Sequence, residues 1–196
     1  MRDTLSFCFR RLTNDSPPIG RLICLLEKDD TYHVEVLLRD QFFTATTDLG
    51  VRFTHDPGHL LADGTPDPKY WDVIDIPELS TDIIEDWAES EVGSHYDFFG
   101  AFNSAMGVPL RDPYRWFCSE IATQIASMAG EVGLDPLSCP SKLRQQLLTH
   151  TDRGIQPKGI PEGLSFEDQD SLYLKDLVDR NIIDPHLDEA IRKELG

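Results

Sequence analysis

The chain has 196 residues, 40% of them hydrophobic, and its 18 basic against 35 acidic residues give a net charge of −17. That length and apolar content suit one substantial domain with a core of its own, while the charge repels phosphate backbones and anionic lipid surfaces, so no nucleic-acid partner is expected. No stretch approaches the roughly 20 apolar residues of a membrane span, which argues against an integral membrane segment.

In chain order, residues 5–12 alternate Leu5, Phe7 and Phe9 with other side chains and predict a strand, and the breaker-rich NDSPPIG at 14–20 predicts a loop. Strands are expected at 21–26 (RLICLL), 31–38 (TYHVEVLL) and 42–47, joined by connections short enough for an antiparallel meander. Residues 54–70, with three prolines and two glycines, predict a surface loop, and YWDVIDI at 70–76 a further strand. Helices follow. The stretch 80–93 carries Ile83, Ile84, Trp87 and Ala88 on one stripe, with a capping-box-like Asp82/Glu85 pair and Gly93 as a stop. A short helix is expected at 97–106, a longer one at 118–129 with Ile121, Ala122, Ile125 and Met128 on one face, and another in CPSKLRQQLL. After a loop at 151–164, helical patterns recur at 166–180 and from Asp184-Pro185, where Asp184 can cap and Pro185 suits the first turn. The expected organisation is therefore an α+β domain over 1–150, an antiparallel and partly barrel-like sheet packed against helices. An acidic helical extension over 151–196 offers a protein partner a surface at 165–196.

The N-terminal MRDTLSFCFRRL lacks the apolar run of a signal peptide, which predicts a cytoplasmic protein at synthesis; a phage particle or a secretion apparatus is the route by which it could act elsewhere. Cys8, Cys24, Cys118 and Cys139 are scattered without a C-x-x-C pair, so reduced thiols are expected.

One of these cysteines carries a chemical question. In PYRWFCSE, Cys118 stands where a helix begins, and the unsatisfied backbone N–H groups there favour a thiolate and can double as oxyanion donors. The helix periodicity puts Cys118 with Ile121 and Ile125, so its sulfur is expected to point at the sheet. A thiol nucleophile also needs a base. In TYHVEVLL a period of two places Tyr32, Val34, Val36 and Leu38 on one face and His33, Glu35 and Leu37 on the other, so a carboxylate can orient the imidazole two residues away. Tyr96 is a candidate hydrogen-bond donor to an oxyanion or to substrate.

The His-x-Glu strand, the later HYDFFG (Tyr96, Asp97, Gly100) and the WFCSEIA helix start together resemble the circularly permuted papain-like cysteine hydrolases of the NlpC-type superfamily. The likeness is to the branch that includes YiiX-like proteins and the lecithin:retinol acyltransferase group. The resemblance spans roughly residues 20–145 and includes CPSKL, similar to a Ser-Pro-x-x-Leu after the nucleophile helix, with Cys139 standing where the family has serine. It implies a permuted papain-like fold, Cys118 as nucleophile, His33 as base and Glu35 as the third polar residue. It implies a peptidase or amidase, or an acyltransferase, acting on a peptide, peptidoglycan-like or acyl-lipid substrate without a cofactor.

Competing readings follow from the same residues. A cysteine on an apolar helix face is commonly a packing residue, which would make the chain a non-catalytic interaction module. His55 and His59 are four apart and flank Asp56, but Pro57 and Gly58 break the helix that such a metal-binding spacing needs, so no metal site is expected.

Overall fold

The computed structural model describes residues 4–77, 81–131 and 133–152; the helical patterns at 166–180 and from Asp184, and the partner surface at 165–196, lie outside them. Strand β1 (Thr4–Arg11) pairs antiparallel with β2 (Thr31–Leu38) and β5 (Trp71–Pro77). Beyond β2 come β3 (Gln41–Thr46) and β4 (Gly50–Thr54), giving the order β4-β3-β2-β1-β5. The expected barrel-like curl is not closed: β4 and β5 are the two ends of an open sheet. The reason lies at the β4 edge, where Val51 N–H donates to Ser94 O and Gly93 N–H to Val51 O, both at 2.9 Å, so this edge bonds a turn instead of β5. Gly50 makes that approach possible. Its φ is +67°, and a Cβ there would collide with the Ser94 carbonyl.

The strand expected at 21–26 is a helix. Helix α1 (Pro18–Glu27) opens on Pro17 as N-cap with Pro18 in the first turn, where a missing N–H costs nothing and φ is already helical. It ends at Lys28 in the left-handed region with φ +56°. Ile23 and Cys24 bury against Tyr32, while Leu22 and Leu25 face solvent, and those exposed leucines disguise the 3.6-residue period as a continuous apolar run. The loop expected at 14–20 accordingly loses its last three residues to α1.

The other helices among the described residues are α2 (Thr81–Glu91), α3 (Phe98–Ala105), α4 (Cys118–Met128) and α5 (Pro140–Asp152). The expected capping-box-like pair, Asp82 and Glu85, turns both carboxylates to Arg39, at 3.7 and 2.5 Å. The main core joins Phe7, Phe9, Val34, Val36 and Phe43 of the sheet to Ile84 of α2, Ile121 and Ile125 of α4, and Leu143 of α5. Burying each such side chain is worth about 1.5–3 kcal/mol, which fixes α4 against the sheet. Across the sheet, Cys8, Phe42 and Trp71 form a second, smaller cluster.

Candidate active site

The approach to α4 is built by the residues of HYDFFG. Strand β6 (His95–Tyr96) pairs in parallel with β7 (Arg115–Trp116), and Asp97 N–H donates to Trp116 O at 2.8 Å. The buried Asp97 carboxylate caps α3, accepting from Gly100 N–H at 2.8 Å on Oδ1 and from Asp112 N–H at 2.8 Å on Oδ2. Burial pushes its pKa up, against these two backbone bonds. Gly100 is there because a Cβ would run into the Asp97 carboxylate and come within 2.9 Å of the Phe117 ring. The segment before Cys118 is thus held by a cap, a short parallel ladder and a close glycine contact.

Cys118 is the first residue of α4, after the extended N-cap Phe117. It is 3% exposed and belongs to the main core, so the sulfur is turned inward as the helix period requires. On β2 the alternation holds for Tyr32, Val34, Val36 and Leu38, all buried, but Glu35 breaks it by being buried as well. The β2–β3 pairing runs from Leu38–Gln41 to Val36–Phe43. Past that point side chains take over: His33 Nε2 lies 3.1 Å from Glu35 Oε1 and 3.1 Å from Thr44 Oγ1.

A carboxylate only accepts, so Nε2 carries the proton and Nδ1 is the nitrogen left for another partner. Cys118 is the group whose charge acts most strongly on the ring. Burial alone lowers the His33 pKa, but the charge and hydrogen bond of Cys118, followed by the bond and charge of Glu35, outweigh it and push the value up to about 10. The ring is favoured as imidazolium. Behind it, Glu35 Oε2 has no hydrogen-bond partner among the described residues, and the cross-strand neighbour of Glu35 is Cys8. Burial first, then the Glu35 and Asp75 charges, drive the Cys8 thiol far above its ordinary range, so it stays neutral.

Tyr96 packs at the edge of the main core, and burial, then the Cys118 charge, then Asp97 raise its pKa well above 10. Its hydroxyl therefore keeps its proton and remains a donor at neutral pH. The structure brings His33, Glu35, Cys118 and Tyr96 into one neighbourhood. Sequence reading missed Thr44; it lies in the strand expected at 42–47 and is fully buried between Phe43 and Ala45, but nothing in its spacing marks it in the sequence.

His55 and His59 do not converge. His55 Nε2 is 2.9 Å from Gln41 Nε2, whereas His59 stacks on Tyr70 with centroids 4.0 Å apart and lies 3.5 Å from Asp15. Among the described residues no cluster of His, Cys, Asp or Glu has the makings of a metal site, and no helix is long and apolar enough to cross a membrane. A cavity of about 460 Å³, lined by Leu38, Arg39, Gln41, Phe53, Glu85 and Val92, sits at the opposite end of β2 from His33. Comparison with protein-family profiles, curated proteins and solved structures gives no match.

Proposed function

We propose that the chain is a cysteine-dependent hydrolase of the peptidase or amidase type, acting on an amide or ester carbonyl. The observation that carries this reading is the His33 ring, bonded on Nε2 by Glu35 and Thr44 and drawn toward the imidazolium form by Cys118. In the proposed cycle His33 Nδ1 takes the Cys118 proton and the sulfur attacks the carbonyl carbon. Electron density moves to the carbonyl oxygen, where N–H groups at the start of α4 and the Tyr96 hydroxyl are the available donors. Collapse expels the leaving amine or alcohol with the proton from His33 and leaves a thioester. Water, deprotonated by His33, then attacks the thioester and releases the acid and the thiol. If an alcohol or amine takes the place of water, the same site is an acyltransferase. The likeness to permuted papain-like hydrolases supports this reading and is itself part of the proposal. A peptide, peptidoglycan-like or acyl-lipid substrate is compatible with it.

One observation favours a second reading, a non-catalytic assembly module: Cys118 is only 3% exposed, and the cavity described above lies away from it. The pH profile of iodoacetamide labelling at Cys118, read by mass spectrometry, separates the two. Catalysis requires labelling well below the ordinary thiol pKa of about 8.5, with that advantage lost in His33→Ala. Labelling no faster than at Cys24 or Cys139, and indifferent to His33→Ala, rejects catalysis in favour of the module.

A further inference from the structure

The first turn of the proposed nucleophile helix contains a charge that the cycle above does not use. Glu120 is 3% exposed, and its Oε1 accepts from Arg111 Nη1 across the end of the segment that leads into α4. Among the described residues Oε2 has no hydrogen-bond partner. Residue 112 is tied down next to it, through the Asp112 N–H on Asp97 Oδ2 at 2.8 Å. Two buried carboxylates, Asp97 and Glu120, therefore anchor successive residues 111 and 112 to the starts of α3 and α4.

A carboxylate at this position helps and harms. It ties residue 111 to the first turn of α4 and complements the positive end of the helix dipole, but it also brings negative charge within one turn of a sulfur that must become negative. A like charge disfavours a thiolate, and an adjacent cation favours it. The other titratable groups facing this turn are His33 with its partner Glu35, the neutral Tyr96 hydroxyl, Asp97, and the Asp112–Arg115 pair, whose Nε and Oδ2 are 3.2 Å apart. Asp97 adds to the negative side, and the Asp112–Arg115 pair is neutral overall.

We propose that Arg111 and Glu120 form a positioning pair for Cys118: Glu120 holds the segment at residue 111 against the first turn, and Arg111 cancels the charge that Glu120 introduces there. The inference rests on the acyl-transfer reading, and its failure is distinguishable from the failure of that reading. Arg111 and Glu120 are positioning residues, since neither meets the reacting carbonyl in the proposed cycle.

The test is the pH midpoint of Cys118 alkylation in the full chain, for the wild type, Arg111→Met, Glu120→Gln and the double variant. Arg111→Met is expected to raise the midpoint by about one unit, roughly a tenfold loss of thiolate at a given pH. Glu120→Gln is expected to lower it, and the double variant to fall between the two. Shifts of opposite sign are a signature of charge that a loss of packing does not produce. Cys8, fully buried, is the internal control, because its labelling reports unfolding. If Arg111→Met unfolds, Arg111→Lys replaces it and is expected to keep the wild-type midpoint. Equal midpoints in all variants, with Cys118 still responding to His33→Ala, overturn this inference alone. Shifts of the same sign in both single variants also overturn it. A wild-type Cys118 that ignores His33→Ala removes the catalytic reading and this inference together.

Discussion

Glu35 Oε1 and His33 Nε2 stand 3.1 Å apart on one strand, and the same nitrogen is 3.1 Å from Thr44 Oγ1 on the next. The carboxylate is 4% exposed and sits opposite Cys8, so its charge acts through little solvent. Glu35→Gln keeps the shape but removes the charge and permits the wrong tautomer. The expected outcome is a fall of about 100-fold in Cys118-dependent turnover or alkylation near neutral pH, together with a lower His33 pKa in an NMR titration of the ring. An unchanged titration removes Glu35 from the site.

Thr44 supplies a bond and no charge. Thr44→Val is close to isosteric and leaves the Glu35 contact intact, so the expected loss is that of one neutral hydrogen bond, about 0.5–1.5 kcal/mol. In rate this is a reduction of roughly 3- to 10-fold in Cys118 alkylation. A loss as large as that in Glu35→Gln would show that Thr44 positions the ring by more than this bond.

Gly100→Ala tests the approach to α4 without removing a titrating group. The added methyl meets the Asp97 carboxylate and the Phe117 ring, and the expected destabilisation is about 1–3 kcal/mol by urea unfolding. Because Phe117 is the N-cap of α4, the same variant is expected to slow Cys118 labelling under conditions where the chain is still folded. Wild-type stability would mean that the α3 start shifts freely and that the glycine is not what sets this geometry.

The Glu120 pKa is pushed up to about 7, chiefly by burial and against the pull of Arg111. A folded-state value above the ordinary 4.5 means that the protonated form is favoured by folding. Its contribution is complete below pH 4.5 and is lost as the pH rises toward 7, a change on the order of 3 kcal/mol. His33 is also raised, and its contribution is lost in a higher window, from 6.5 to about 10. The measurement is Tm against pH in the wild type and Glu120→Gln. The variant is expected to lose the slope between 4.5 and 7 and to retain the fall at higher pH.

By itself the sequence determined the elements whose side-chain period is clean. Leu5, Phe7 and Phe9 alternate, so β1 is legible; Ile121, Ala122 and Ile125 recur at helical spacing, so α4 is legible with Cys118 at its head. The His33-x-Glu35 spacing was equally legible, because residues two apart on a strand share a face whatever surrounds them. Tertiary structure decided what local pattern leaves open. RLICLL became helical through Pro17-Pro18 and the fit of Gly20 under Tyr32, where a Cβ would lie 2.7 Å from the ring. The strand Gly50–Thr54, with five residues and one fully buried side chain, exists through its pairing with β3 and the turn at Ser94. Nor does any spacing announce that Thr44 meets His33 or that Arg111 meets Glu120. Those contacts depend on how far strands and segments approach one another once the core has closed, and a burial energy summed over many apolar residues sets that distance.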